Sequence, residues 1–279
     1  MTTSAAAAYA EVIGDPIGHS KSPLIHKFWL SKLGLEGDYR ATRVSADGLA
    51  AYFSQRRTQG GWRGCNVTVP HKQAVIASLD RLSERAREVG AVNTIVAEDG
   101  GLVGDNTDVG GIIDALAPIG RPARVCLIGS GGAALAALAA FRLLSVSFVS
   151  LNVRDRAKGE RLLAASGLDG RVGPVDDREG LLGADLIVNA TTLGMAGQSA
   201  MPDEVLRHVA AISDPAVAVF DMVYSPLETS LLAAARRGGL VAIDGLEMLV
   251  GQAALAFGQF FGREAPRAHD AELRALLTS

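Results

Sequence analysis

Lys72 and Asp108 are the residues whose types and placement could do chemistry. Lys72 closes Asn66-Val67-Thr68-Val69-Pro70-His71-Lys72, and Asp108 closes Gly104-Asp105-Asn106-Thr107-Asp108, so each stands at the end of a separate extended segment. A lysine and a carboxylate placed this way could flank a reacting carbonyl. The ammonium would give a proton to the oxygen on which charge develops, and the carboxylate would orient it. Lys72 follows Pro70 closely, which predicts a place in the first turn of a helix beginning where the strand Gly64–Val69 ends. A cation there works against the helix dipole, so it reads either as functional or as an exposed surface lysine. Asp108 also has two readings, as the partner of Lys72 or as the cap of the helix that follows.

A second pattern is Gly129-Ser130-Gly131-Gly132-Ala133-Ala134, between the apolar run Val125–Ile128 and an alanine-rich helical segment. Gly129-x-Gly131-x-x-Ala134 is the alanine variant of a dinucleotide fingerprint. Gly129 permits a tight turn, Gly131 lets backbone approach a pyrophosphate, and Ala134 allows close packing of helix on sheet. The next strand should end beside an adenosine ribose, and there the chain reads Asn152-Val153-Arg154-Asp155-Arg156-Ala157-Lys158. Arg154, Arg156 and Lys158 could hold a 2′-phosphate, whereas Asp155 could accept from a free 2′-hydroxyl and repel phosphate. The balance of charge favours NADP, with NAD possible. Near the start, Ser20 and Ser22 flank Lys21 in a turn between strand and helix. Such a turn could hold an anionic group, although Ser22 alone reads as a helix cap.

These groups need elements to position them. Strands are predicted at Tyr9–Ile13, Tyr39–Val44 and Gly64–Val69, with helices at Pro23–Leu33 and Leu49–Thr58. Val92–Ala97 and Leu102–Val103 flank Glu98-Asp99-Gly100-Gly101, a hairpin signal, so this first sheet must be mixed. From Arg124 onward strands at Val125–Ile128, Val146–Leu151, Leu186–Ala190, Val217–Met222 and Leu240–Ile243 alternate with helices. That rhythm implies a parallel, doubly wound sheet. The fold class is therefore α/β with two domains: an N-terminal α/β substrate domain with a mixed sheet, and a Rossmann-type dinucleotide-binding domain. Residues 1–107 plus 246–279 are expected to form the substrate-binding and catalytic domain, and 108–245 the NADP-binding one. The closing helices, Leu246–Phe261 and His269–Leu277, are expected to pack back on the first domain. Asn106–Gly111 and Gly239–Gly245 are the expected hinges for closure around two ligands.

Composition narrows the function. The chain has 279 residues, 48% of them hydrophobic and 20% charged, enough for one large or two ordinary domains. Its net charge of −3, without a long basic block, gives no reason to invoke nucleic acid. The two cysteines, Cys65 and Cys126, lack the spacing of a metal site or the density of a disulfide scaffold, and read as buried thiols. No HExxH occurs and no catalytic metal is expected. The apolar stretches Leu127–Phe141 and Met248–Gly262 fall short of a membrane span, and Met1–Ala10 lacks the pattern of a signal peptide. A cytoplasmic protein with a small-molecule substrate is expected, with monomer and homodimer both open.

The pieces together resemble the shikimate dehydrogenase family, which includes quinate-using members. The resemblance runs in order through Gly14–Pro23, Asn66–Lys72, Gly90-Ala91-Val92-Asn93-Thr94, Asp105–Asp108, the Gly129 turn, Asn189-Ala190-Thr191 and Asp221-Met222-Val223-Tyr224. It implies reversible, NADPH-dependent reduction of 3-dehydroshikimate to shikimate in aromatic amino-acid biosynthesis. It also implies that Ser20, Ser22 and Tyr224 hold the substrate carboxylate. Thr68, Lys72, Asn93, Asp108 and Gln252 would surround the ring hydroxyls and the carbonyl, with Lys72 and Asp108 catalytic. Glu84, Met222, Gly245 and Met248 match positions on the nicotinamide side, and Gly129, Ser130, Gly131, Gly132, Ala133, Arg154, Asp155, Lys158 and Thr191 match the rest of the cofactor site. The chain departs from the family pattern at Val109, at Glu247 and at Val153-Arg154-Asp155, where Asp155 resembles members that use NAD, often with quinate. The alternatives are thus an NAD-dependent quinate/shikimate dehydrogenase and a catalytically weak, ligand-binding paralogue.

Overall fold

The structure is a computed structural model and describes residues 7–279. The chain divides into two compact units, one of residues 1–107 with 252–279 and the other of residues 108–251.

In the first unit, strands β1 (Tyr9–Gly14), β2 (Asp38–Arg43), β3 (Trp62–Val67), β4 (Arg81–Leu82), β5 (Thr94–Glu98) and β6 (Gly101–Asp105) form one sheet, in the order β2-β1-β3-β5-β6-β4. β1 runs parallel to β2 and β3, while β5 is antiparallel to β3 and β6, so the sheet is mixed as expected. The β5–β6 hairpin turns through Asp99 (φ 51°) and Gly100 (φ 76°), the two positive dihedrals that a tight two-residue turn demands. Helices α1 (Ser22–Lys32), α2 (Leu49–Arg57) and α3 (Glu84–Val89) connect the strands. All six residues of β1 are buried, which is the mark of a central strand covered on both faces. Glu11 lies within it, wholly buried, and its carboxylate accepts from Tyr52 Oη at 2.8 Å, Trp62 Nε1 at 2.9 Å, Arg56 Nε at 2.6 Å and Thr42 Oγ1. Burial pulls the Glu11 carboxyl upward, but these donors outweigh it and hold it below the usual carboxylate range.

The second unit begins with α4 (Asp108–Leu116) and then alternates β7 (Arg124–Ile128), α5 (Gly132–Leu143), β8 (Phe148–Asn152), α6 (Arg156–Ser166), β9 (Gly170–Gly173), α7 (Arg178–Leu182), β10 (Leu186–Asn189), α8 (Asp203–Ala210), β11 (Ala218–Asp221), α9 (Ser230–Arg237) and β12 (Val241–Ile243). Every strand pairing is parallel and the order is β12-β11-β10-β7-β8-β9, a doubly wound sheet with its switch point between β7 and β10. The short edge strands β4 and β9 are absent from the sequence expectation. β9 carries two glycines in four residues and offers little hydrophobic pattern.

Helices α10 (Gly245–Phe261) and α11 (Asp270–Thr278) close the chain. The boundary expected between residues 245 and 246 lies instead between 251 and 252, inside α10 and outside the expected hinge Gly239–Gly245. Gly251 is the reason. A Cβ there would come within 3.1 Å of Gly111 Cα and 3.2 Å of Asp114 Oδ2, so the first turns of α10 lie tightly on α4 and belong to the second unit. From Gln252 on, the helix packs on the first unit, where Phe257 and Phe260 lie around the His26 ring. Cys65 and Cys126 are both free and buried. Among the described residues no helix is long and apolar enough to cross a membrane.

Candidate active site

In the first unit the carboxyl ends of β1, β3 and β6 deliver the polar residues. After β1 the chain turns so that Ser20 N–H donates to Ile17 O at 3.1 Å and Ser22 N–H donates to Ser20 Oγ at 3.3 Å. Ser22 does not cap α1, contrary to expectation. It is already the first helical residue, the flanking position falls on Lys21, and no side chain caps the helix. Its hydroxyl is therefore not spent on its own helix.

After β3, Thr68 N–H donates to Ile13 O at 2.9 Å, and His71 N–H donates back to Thr68 O at 2.9 Å. His71 is buried, with Nε2 2.6 Å from Val44 O, so that nitrogen carries the proton and donates. Lys72 follows in a turn, not in the first turn of a helix; the helix that comes next is a 3-10 helix over Ala74–Ser78. The dipole argument for Lys72 therefore falls. What holds the residue is a clasp, because Val92 N–H donates to Lys72 O at 2.7 Å while His71 anchors the preceding residue.

Asn93 is the centre of a buried amide cluster. Its Oδ1 accepts from Thr107 N–H at 2.7 Å and from Thr94 Oγ1 at 3.0 Å, and its Nδ2 donates to Thr107 Oγ1 at 2.9 Å and to Gln252 Oε1 at 3.4 Å. A backbone N–H can only donate, so the orientation of the Asn93 amide is decided by Thr107. Gln252 Oε1 also accepts from Thr107 Oγ1 at 3.5 Å. Asp105, just upstream, accepts from Ser83 Oγ at 2.6 Å, Arg85 Nη2 at 2.5 Å, Gln259 Nε2 at 2.8 Å and Asn106 N–H at 2.7 Å. Those donors overcome its burial and keep it ionised. Glu84 is exposed at the start of α3, which Ser83 caps through Ala86 N–H at 3.0 Å.

In the second unit Asp108 is buried and is the first residue of α4, inside the helix rather than flanking it. The glycine turn follows β7, and Gly129 takes φ +128° with its N–H donating to Asn152 O at 3.0 Å. A side chain at Gly129 would meet Ala190 O and Thr191 Cγ2, each at 3.0 Å, so only glycine lets the turn lie against the end of β10. Space is open above Gly131, and no side chain caps α5. Unpaired helical N–H groups facing open space suit a pyrophosphate. Ala134 is fully buried, as the fingerprint requires.

At the ribose turn the structure separates the charges. Asp155 caps α6, its Oδ1 accepting from Lys158 N–H at 2.9 Å. Arg156 pairs with Glu160 at 2.8 Å across an exposed helix surface, and Arg154 is exposed. At the ends of β10 and β11, Asn189 Nδ2 donates to Asp221 Oδ1 at 2.9 Å and Asn189 Oδ1 accepts from Thr191 Oγ1 at 2.6 Å. Asp221 also accepts from Thr229 Oγ1 at 2.7 Å and Val223 N–H at 3.0 Å, but no cation is among these partners. Burial therefore pushes its carboxyl up to about 6. This network holds Met222 and Tyr224 on one side and Thr191 on the other. Gly245 approaches the same segment, since a Cβ there would come within 2.5 Å of Met222 O. Met248 is buried on the same helix and Glu247 is exposed.

Comparison with known proteins places this arrangement. The family described as shikimate dehydrogenase substrate binding domain matches residues 12–95, and the shikimate 5'-dehydrogenase C-terminal domain matches residues 245–272. Shikimate dehydrogenase (NADP(+)) of Sphingopyxis alaskensis is 49% identical over 281 residues, covering 100% of both chains. The chain belongs to the shikimate dehydrogenase family. The corresponding protein of Rhodospirillum rubrum is 42% identical, covering 97% of each chain. Among solved structures, shikimate 5-dehydrogenase of Thermus thermophilus in complex with NADP(H) and shikimate is similar with a TM-score of 0.84. It has 34% identity and covers 97% of this chain and 99% of that one.

Within this member of the family, Ser20, Ser22, Thr68, Lys72, Asn93, Gln252 and Glu84 lie in the first unit, and Asp108, Tyr224 and the residues of the glycine and ribose turns lie in the second. Thr107 and Asp221 are missing from the residues singled out in the sequence. Thr107 stands next to Asp108 in a quoted motif, but a threonine there has no chemistry of its own to draw attention. Asp221 likewise opens a quoted motif. Its burial without a cation is visible only once the sheet is assembled.

Proposed function

We propose that this chain is an NADP-dependent shikimate dehydrogenase that reversibly reduces 3-dehydroshikimate to shikimate, a step of aromatic amino-acid biosynthesis. The observation that carries the reading is the buried Asn93–Thr107–Gln252 cluster beside the clasped Lys72, a built set of donors and acceptors for a polyhydroxylated ring.

The unit of residues 1–107 and 252–279 is assigned to the substrate and that of residues 108–251 to the cofactor. Ser20 and Ser22, with Tyr224, bind the carboxylate. Thr68, Asn93 and Gln252 bind hydroxyls. The open, uncapped start of α5 receives the pyrophosphate, through Gly129, Ser130, Gly131, Gly132 and Ala133. Arg154 and Lys158 hold the 2′-phosphate, Thr191 belongs to the rest of the cofactor site, and Glu84, Met222, Gly245 and Met248 border the nicotinamide. When bound, the nicotinamide supplies the hydride. The oxygen of the reduced carbonyl needs a proton, and a lysine, ordinarily an ammonium at neutral pH, supplies it. Lys72 is that donor, and it takes the proton back during alcohol oxidation. Asp108 is assigned to the adjacent substrate hydroxyl.

The role of Asp155 as a helix cap weakens the NAD and quinate alternative, because one of its two carboxylate oxygens is already engaged by Lys158 N–H. Steady-state kinetics with NADP and NAD against shikimate and quinate test the assignment. Higher catalytic efficiency with NAD and quinate would overturn it, and binding of ligands without hydride transfer would point to a non-catalytic paralogue. Lys72→Ala should lower kcat by ~10²–10⁴-fold with folding intact, and turnover within a few fold of wild type would remove the lysine from the mechanism.

A further inference from the structure

A lysine between two serines that bind a carboxylate would ordinarily be assigned to that carboxylate. Lys21 is turned elsewhere. Its Nζ donates to Leu277 O at 2.5 Å, in the last turn of α11 and 256 positions away in the chain. The backbone of Lys21 meanwhile starts α1, with Ile25 N–H donating to Lys21 O at 3.1 Å. The carbonyls at the end of a helix lack intrahelical partners and carry the negative end of its dipole, so an ammonium is a natural cap. The neighbouring carbonyls are met locally: Thr278 Oγ1 donates to Arg274 O and Ser279 Oγ to Leu276 O, each at 3.0 Å. Leu277 O is met from across the unit, by Lys21.

The rest of α11 is fastened to α1 as well. Lys32 pairs with Glu272 at 2.7 Å, and the Phe28 and His269 rings meet edge to face at 6.5 Å. Leu277 itself is buried, 2% exposed, so the acceptor is held in a packed position rather than on a frayed end. The anchor thus immobilises the one residue that separates Ser20 from Ser22.

We propose that Lys21 is a positioning residue, tying the serine turn to the carboxyl end of α11, and that this tie sets the affinity for the carboxylate-bearing substrate. The inference rests on the assignment of Ser20 and Ser22 to a substrate carboxylate. Kinetics of shikimate oxidation with NADP test it in five variants. Lys21→Met and a chain ending at Leu276 each raise KM for shikimate about tenfold, with kcat and KM for NADP within about twofold. Combined, they cost no more than either alone, because both break one contact. Lys21→Arg, and a chain ending at Leu277 whose new terminal carboxylate still accepts, both stay within about threefold of wild type.

If the chain ending at Leu276 keeps the wild-type KM while Lys21→Met loses affinity, Lys21 meets the substrate directly and the proposal is wrong. Lost stability with unchanged KM in both variants refutes it too. Lys21→Met leaves Leu277 in the core, so it can still refute the proposal if the shortened chain does not fold, a KM within about threefold being the refuting result. Wild-type enzyme inactive on shikimate would instead bring down the substrate assignment and the inference with it, a failure seen before any variant is made.

Discussion

Asp155 offers the sharpest test of how the ribose turn works. Two variants separate its possible roles: Asp155→Ser keeps a capping oxygen and removes the charge, while Asp155→Ala removes both. In the structure Oδ1 is 2.9 Å from Lys158 N–H and the residue takes the extended dihedrals of a helix cap, φ −103° and ψ 98°. Loss of such a cap costs about 1 kcal/mol, so Asp155→Ala should lower the melting temperature by about 2–4 °C, whereas Asp155→Ser should hardly move it. Both variants remove a negative charge from an exposed turn that also holds Arg154 and Arg156. Against a 2′-phosphate, an exposed like charge is worth roughly 1 kcal/mol in water, so the affinity for NADPH should rise about three- to fivefold. Affinity for NADH should change by less than about twofold, since a free ribose hydroxyl carries no charge to repel. Fluorescence titration with NADPH and NADH, together with thermal unfolding of each variant, gives both readouts. If Asp155→Ser instead weakens NADH by about tenfold or more, the carboxylate is holding a ribose hydroxyl and the assignment of Asp155 as a cap is refuted.

Three further expectations follow from buried polar groups. Asp221 has its carboxyl raised from 3.8 to about 6, so the folded state binds more protons than the unfolded one between those values. Stability contributed by this group therefore falls as pH rises from about 4 to 6, by up to about 3 kcal/mol, and the wild-type-minus-Asp221→Asn difference in urea unfolding should show that slope. A flat difference would mean Asp221 does not titrate there. Arg56→Met strands the Glu11 carboxylate with neutral donors only and should cost about 3–5 kcal/mol at pH 7, less as pH falls toward the carboxylate range; a loss below about 1 kcal/mol in urea unfolding would contradict the network. Thr107→Val keeps the shape of the residue but deletes the hydroxyl shared by Asn93 and Gln252, and should raise KM for shikimate about tenfold while costing about 1–3 kcal/mol of stability. An unchanged KM would show that the amides orient themselves.

Some of the site was legible before the chain was folded because it depends on short-range physics. Glu98-Asp99-Gly100-Gly101 announces its hairpin through residue types that accept the positive dihedrals found at Asp99 and Gly100, and strand, glycine turn and helix announce the fingerprint through spacing. Lys72 and Ser22 show the limit. Both were placed by local rules, one in a helix start and one as a cap, and both positions moved because long-range hydrogen bonds, such as Val92 N–H to Lys72 O, decide where a turn ends and a helix begins. The expected domain boundary moved for a similar reason, since the Gly251–Gly111 approach draws the first turns of α10 onto α4.

By itself the sequence determined the fold class, the alternation of elements and the chemical types available at each turn, because hydrophobic period and glycine placement act over a few residues. Tertiary structure decided what each polar group is committed to. Lys21 goes to the carboxyl end of a helix far along the chain, Asp155 to its own helix, and Asp221 to a site with no cation among its partners. Commitment depends on which partners arrive from distant segments and how much water they exclude, and neither is written in local spacing.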